Sequence, residues 1–268
     1  AGRKFVKRYE EKIVMVTGGG GGIGRAICLR LSSEGAAIAV LEKNDETAAE
    51  TVRQVEAAGG RAAAVHADIT DWDSVQNGVT EAEQALGPLD GLINNAGWAQ
   101  RGNIEDTAPE DWDKEIAVNL RGHFLCAKAV IPGMVSRGKG VIVNIGSVNG
   151  MVYLGNPGYS AAKAALYSLT QSLSSEYGPK GIRTNMVSPG TVETDIESWR
   201  IRRQKNPEIF DVLARWYPVG RVGQPEDIAA AVAYIAADEA AFVNGTNLVV
   251  DGGLTASMNP MIEEFVLE

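Results

Sequence analysis

The segment Ile13-Val14-Met15-Val16 passes straight into Thr17-Gly18-Gly19-Gly20-Gly21-Gly22-Ile23-Gly24. Four apolar residues, mostly β-branched, read as a buried strand. Residues 23–34, stopped by Gly35, read as a helix. Five glycines in a row can be a flexible loop, but here they close a strand and open a helix. In that place glycine lets the backbone approach a pyrophosphate, and the helix N-terminus attracts its charge.

The same alternation continues along the chain. Short apolar runs at 37–41, 62–65, 92–94, 140–145, 182–187 and 248–250 follow the first one. Between them lie helical stretches at 46–58, 72–86, 109–135 and 157–177, and one that begins at Gln224-Pro225-Glu226-Asp227 and runs to 236. Seven buried strands alternating with helices predict a mostly parallel sheet covered on both faces. No linker or composition break interrupts the pattern, so residues 1–268 are expected to form a single domain.

Composition narrows the function classes. The hydrophobic share of 45% supports a substantial core, and a net charge of −9 argues against nucleic acid or an anionic membrane as partner. No apolar run approaches the ~18 residues of a membrane span. Residues 1–11 carry Arg3, Lys4, Lys7 and Arg8 with no apolar stretch after them, so they are not expected to be a signal peptide. Cys28 and Cys126 both lie in helical patterns and read as buried free thiols, which fits a cytoplasmic setting. His66 and His123 lack ligand-like partners in sequence, so no catalytic metal is expected.

The chemistry-bearing residues sit at strand ends. Glu42 lies 18 residues after Gly24, at the end of the second strand. An acidic side chain there accepts hydrogen bonds from the adenosine ribose and repels a 2′-phosphate, which favours NAD; the adjacent Lys43 would favour the phosphate. Asp68 ends the third strand, with Ile69 after it, and Asn94-Asn95-Ala96-Gly97 ends the fourth. Tyr159 and Lys163 are four residues apart on one helix face. A phenol normally titrates near pH ~10, and a neighbouring ammonium lowers that value, so such a pair suits proton exchange near neutrality.

Together these pieces closely resemble the short-chain dehydrogenase/reductase family. The resemblance rests on Thr17-Gly18-x-x-x-Gly22-x-Gly24, Asn94-Asn95-Ala96-Gly97, Asn119, Ser147, Tyr159-x-x-x-Lys163 and Pro189-Gly190, spread over residues 12–254. It implies a doubly wound Rossmann fold and an NAD-dependent dehydrogenase acting on a small molecule, a secondary alcohol or its ketone. Tyr159 would be the general acid/base, with Lys163 tuning it and holding the nicotinamide ribose. Ser147 would hydrogen-bond the substrate oxygen, and Asn119 would hold a relay water. The dinucleotide would lie on Gly18, Gly22, Ile23, Gly24, Glu42, Asp68, Ile69, Asn95, Ala96 and Gly97. Pro189, Val192 and Thr194 would hold the carboxamide. A homotetramer or homodimer, built on the helices of Asn119 and Tyr159, is implied as well.

Trp98, Asn149 and Tyr153 follow strand ends and are candidates for the substrate pocket. A lid is expected at about 195–218, where Arg200, Arg202, Arg203 and Lys205 cluster beside Trp199, Trp216 and Tyr217. That cluster reads either as a greeting for an anionic substrate or as a solvated lid helix balanced by Asp195, Glu197, Glu208 and Asp211. The apolar stretch 258–268 is a candidate for packing on a neighbouring subunit. Two other readings stay open: an NADPH-dependent carbonyl reductase, and a non-catalytic dinucleotide sensor.

Overall fold

A computed structural model describes residues 7–100, 102–195, 197–258 and 260–262. Arg3, Lys4 and most of the apolar tail lie outside the described residues. The strands are β1 (Ile13–Thr17), β2 (Ala37–Glu42), β3 (Arg61–His66), β4 (Gly91–Asn94), β5 (Gly140–Ile145), β6 (Ile182–Pro189) and β7 (Asn247–Val250). The helices are α1 (Gly22–Ser33), α2 (Asp45–Ala57), α3 (Trp72–Leu86), α4 (Pro109–Ile116), α5 (Gly122–Arg137), α6 (Pro157–Tyr177), α7 (Glu197–Lys205), α8 (Ile209–Ala214) and α9 (Pro225–Ile235).

The strands form one sheet in the order β3-β2-β1-β4-β5-β6-β7, with every pairing parallel. Successive side chains of a strand leave on opposite faces. In β1, Met15 therefore joins Leu41, Leu92 and Ile142 beneath α3 and α5, while Val14 and Val16 join Val40, Ile93 and Val143 beneath α1 and α9. Both faces are apolar, which is why the strands read as continuous hydrophobic runs rather than alternating ones.

The strand order reverses between β1 and β4. In open parallel sheets the crevice beyond the carboxyl ends at such a reversal is where ligands bind. Two glycines shape it. Gly18 sits at φ +63, and a Cβ there would lie 2.8 Å from Ala96 Cα; a Cβ on Gly24 would lie 2.1 Å from the Gly18 carbonyl oxygen.

Two boundaries differ from the sequence pattern. The stretch expected as one helix from 109 to 135 contains a π turn, Ala117–Arg121, between α4 and α5. Asp68 lies past the end of β3 rather than on it. Helix α9 starts on a reciprocal cap: Gln224 accepts from the third helical amide while Asp227 accepts from the Gln224 amide at 2.8 Å.

Candidate active site at the carboxyl edge

The loops after β1 to β6 converge on one edge. Thr17 ties the first to the fourth: its hydroxyl accepts from the Asn95 and Ala96 amides at 3.0 Å each. Asn95 Nδ2 donates back to the Thr17 and Gly18 carbonyls at 3.0 and 3.1 Å. The glycine turn and the Asn95-Ala96-Gly97 turn are thus one braced unit. Gly22, Ile23 and Gly24 open α1 beside this turn, and its N-cap Gly21 supplies no side-chain cap to the first amides.

Glu42 ends β2 with its carboxylate accepting from the Gly20 amide at 3.2 Å and the Lys43 amide at 2.8 Å. The Lys43 ammonium turns away to Asp68, 2.5 Å from Oδ2. That lysine helps hold the Asp68 carboxyl well below the usual range, at about 2; burial opposes it, and bonds from Lys43 and Thr70 outweigh burial. Ile69 is buried against Gly122, where a Cβ would come within 2.6 Å of its Cδ1.

Asn119 lies in the π turn and is fully buried. Its Nδ2 donates to the Glu115 carbonyl at 2.9 Å and to the Trp98 carbonyl at 2.6 Å, and its Oδ1 accepts from the Trp98 amide at 3.2 Å. A one-residue widening of a helix often re-aims a side chain at a functional site, and here it aims Asn119 at the loop after β4.

Tyr159 and Lys163 share a face of α6, with the ammonium 5.6 Å from the phenol ring centroid. Lys163 is 2% exposed and donates to the Ile145 carbonyl at 2.7 Å. Burial pushes its pKa from 10.5 down to about 7. The phenol of Tyr159 is raised, first by burial; the Ser147 hydroxyl pulls it back, and the Glu115 carboxylate adds to the rise. The sequence argument that an ammonium lowers the phenol therefore omitted the larger influence, desolvation. Ser147 caps the short turn Val148–Gly150, accepting from the Asn149 amide at 3.2 Å. Asn149 in turn donates to the Gly155 carbonyl at 3.3 Å, while Tyr153 stands 63% exposed at the rim.

Pro189 closes β6, and Val192 and Thr194 follow it, both buried. The hydroxyls of Ser188 and Thr194 are buried without a hydrogen-bond partner, an expensive condition that a polar ligand group relieves. The lid attaches here: the Tyr217 hydroxyl accepts from the Thr191 amide at 2.7 Å, and Arg203 donates to the Thr194 carbonyl at 2.9 Å. Arg202 stacks 4.0 Å from the Trp199 ring centroid. Trp98 lies under the Lys114 ammonium at 3.9 Å.

Sequence reasoning gave no site role to Thr17, quoted only within the glycine motif, or to His123, set aside as lacking ligand-like partners, and it passed over Glu115. Glu115 is the one with a readable signal, since it stands four residues before Asn119 and so on the same helix face. His123 is buried with Nε2 2.9 Å from the Ala96 carbonyl, and burial holds its pKa down at about 3. A cavity of about 510 Å³ also opens at the opposite, amino-terminal edge, beside Lys12, Lys139, Arg183 and Phe242. None of the carboxyl-edge residues lines it, and its cations are engaged: Lys12 and Lys139 share Asp238, and Arg183 donates to four carbonyls.

A family model described as enoyl-(acyl carrier protein) reductase matches residues 19–255. The 2-(S)-hydroxypropyl-CoM dehydrogenase 3 of Xanthobacter autotrophicus is 40% identical over 93% of this chain and 98% of that protein. The meso-2,3-butanediol dehydrogenase of Serratia marcescens is 37% identical over 93% and 97%. Among solved structures, a short-chain dehydrogenase/reductase family oxidoreductase from Burkholderia thailandensis superposes with a TM-score of 0.89 at 36% identity, covering 96% of this chain and 98% of that one. The chain belongs to the short-chain dehydrogenase/reductase family. It is an oxidoreductase of that family, which works with a nicotinamide dinucleotide, NAD or NADP.

Proposed function

We propose that the protein is an NAD(H)-dependent oxidoreductase that interconverts a secondary alcohol and its ketone, with Tyr159 as general acid/base. The observation that carries this reading is the meeting of Tyr159, Ser147 and Lys163 at the carboxyl edge of the switch point. The edge fits a dinucleotide: it offers uncapped amides at α1, an acidic side chain at the end of β2, and two buried hydroxyls without partners, one of them on Thr194.

A nicotinamide held by Lys163, Pro189, Val192 and Thr194 would supply the hydride chemistry. Tyr159 takes the hydroxyl proton during oxidation and returns it during reduction. Ser147 donates to the substrate oxygen and steadies the charge that develops there. Lys163, buried on α6, gives the phenol a cationic neighbour and reaches the nicotinamide ribose. Asn119 holds a water that passes the proton outward. Glu42 receives the adenosine ribose. The Lys43 ammonium is paired with Asp68, and Glu42 brings a carboxylate to this corner, which supports NAD. Asp68, Ile69, Asn95, Ala96 and Gly97 line the dinucleotide, and Pro189, Val192 and Thr194 hold its carboxamide end.

The substrate side is assigned to Trp98, Asn149 and Tyr153 under the lid. Arg202 and Arg203 are engaged within the lid and its attachment, so we assign the basic cluster to lid structure rather than to an anionic substrate. The names of the two relatives support a hydroxyalkyl or vicinal diol substrate. Phe124, 43% exposed on α5, supports a second copy on that face, in a homodimer or homotetramer. No helix among the described residues is long and apolar enough to cross a membrane; a cytoplasmic enzyme remains our reading.

A panel of diols and hydroxy acids, followed by absorbance of the reduced cofactor, tests the assignment. Tyr159→Phe should lower kcat/KM by ~10²–10⁴ while NADH still quenches tryptophan fluorescence. Undiminished turnover in Tyr159→Phe, or tighter binding of NADPH than NADH, would overturn it.

A further inference from the structure

Helix α6, which carries Tyr159 and Lys163, begins without a cap of its own. Asn156 at its N-cap has φ +55 and makes no side-chain cap bond, and Pro157 has no N–H. The remaining first-turn amides must find acceptors elsewhere. The Tyr159 amide finds one on α4, donating to Glu115 Oε2 at 2.8 Å. The other oxygen, Oε1, accepts from the Gln100 amide at 2.8 Å. The Glu115 carbonyl accepts from Asn119. One residue, 1% exposed, thus ties the loop after β4, the π turn and the first turn of α6.

Gly158 completes the fit. A Cβ there would lie 2.4 Å from Glu115 Oε2 and 3.2 Å from Trp112 Cε3. Burying a carboxylate is costly unless its oxygens are satisfied, and a glutamine has a single acceptor oxygen for the two amides that face it.

We propose that Glu115 is a positioning residue: it caps the Tyr159 helix from α4, anchors the loop bearing Trp98, and sets a fixed negative charge against the reacting phenol. The charge works against formation of the phenolate, in the same direction as burial. The groups around Tyr159 are Ser147 from the turn after β5, Lys163 on α6 itself with its ammonium 5.6 Å from the ring centroid, and Glu115 from α4, whose carboxylate meets the Tyr159 amide. Burial opposes the phenolate most, Ser147 favours it and Glu115 opposes it, so Glu115 adds to the pH at which the proton moves.

The inference rests on Tyr159 being the proton-exchanging group. It is tested on the full chain by ultraviolet titration of tyrosinate, subtracting the Tyr159→Phe curve to isolate Tyr159. In Glu115→Gln the isolated transition should move to lower pH, because a charge that opposed ionisation is gone. Should Glu115→Gln fail to fold, Gly158→Ala keeps the charge but displaces the carboxylate from the Tyr159 amide, and the Tyr159 transition should move. A variant that melts earlier with the Tyr159 transition unmoved overturns the inference and makes Glu115 structural only. That result leaves the role of Tyr159 intact, which falls separately if Tyr159→Phe retains full turnover.

Discussion

Lys163 is a costly residue for the fold to hold in its charged form. It is buried, its neutral amine is favoured by desolvation, and its native pKa falls from 10.5 to about 7. In the unfolded chain the same lysine keeps its proton up to about 10.5. Between these values unfolding takes up a proton, so this group makes stability rise as pH climbs from about 7 towards 10.5. Below that window the full cost of the buried charge is present. Lys163→Met removes the group while filling its space. Urea unfolding should find the variant more stable than the parent at about pH 6 by a few kcal/mol, at ~1.4 kcal/mol per pH unit of displacement. The loss of the Ile145 bond takes back part of that gain. The advantage should shrink as pH rises; a gap that stays constant with pH would show that the native lysine is not desolvated. The variant trades function for stability at one position.

Behind the site, β4, β5 and α6 are joined by a buried polar bridge. Asn94 Nδ2 donates to Asn144 Oδ1 at 2.9 Å, Asn144 Nδ2 to Thr170 Oγ1 at 2.9 Å, and Thr170 to the Leu166 carbonyl at 2.9 Å. It locks the strands that lead into Asn95 and Ser147 to the helix that presents Tyr159. Thr170→Val leaves the Asn144 donor unpaired and should cost ~1–3 kcal/mol. Exposed Thr80, bonded only to its own helix at Gln76, serves as control and should stay within ~0.5 kcal/mol as Thr80→Val. Equal effects at both positions would remove the bridge from the account. The strands and helices themselves were readable because buried parallel strands are short apolar runs closed by Gly, Asn or Asp. The π turn at Ala117–Arg121 was not, because its residues continue a helical pattern without Gly or Pro to mark the change. Glu115 sits in the last turn of α4, where its spacing to Asn119 shows the shared face but not the cap: what makes it a cap is Tyr159, 44 residues away, and that contact leaves no trace in local spacing. Asn119 reads as an exposed polar residue until α6 and the loop after β4 are placed around it.

At the scale of the molecule, the segment before β1 is clamped to the far edge of the sheet. The Tyr9 hydroxyl donates to the Ala233 carbonyl at 2.7 Å, and its amide to Glu34 O at 3.0 Å. Arg8 grips Glu34 with two bonds, at 2.6 and 2.8 Å, and reaches Glu239 past the end of α9. Arg30 adds a third bond to Glu34 at 2.6 Å. One carboxylate, 1% exposed, therefore joins the N-terminal segment to α1, and Arg8 carries the link on to the turn beyond α9. Burial acts to raise its pKa, but the two guanidinium groups outweigh burial and the net direction is down. A depressed carboxyl contributes stability that is fully present above its unfolded value, 4.5, and is lost as pH falls through the lower native one. Asp68, held at about 2, adds to the same trend. Thermal unfolding should therefore show Tm falling steeply as pH drops below about 4.5. Glu34→Gln leaves two arginines facing a neutral amide and should cost ~3–5 kcal/mol near neutrality. The gap between variant and parent should narrow in acid, because the parent protonates the same carboxylate there. Parallel curves, with a gap unchanged from neutral to acid pH, would mean that the clamp is packing rather than charge.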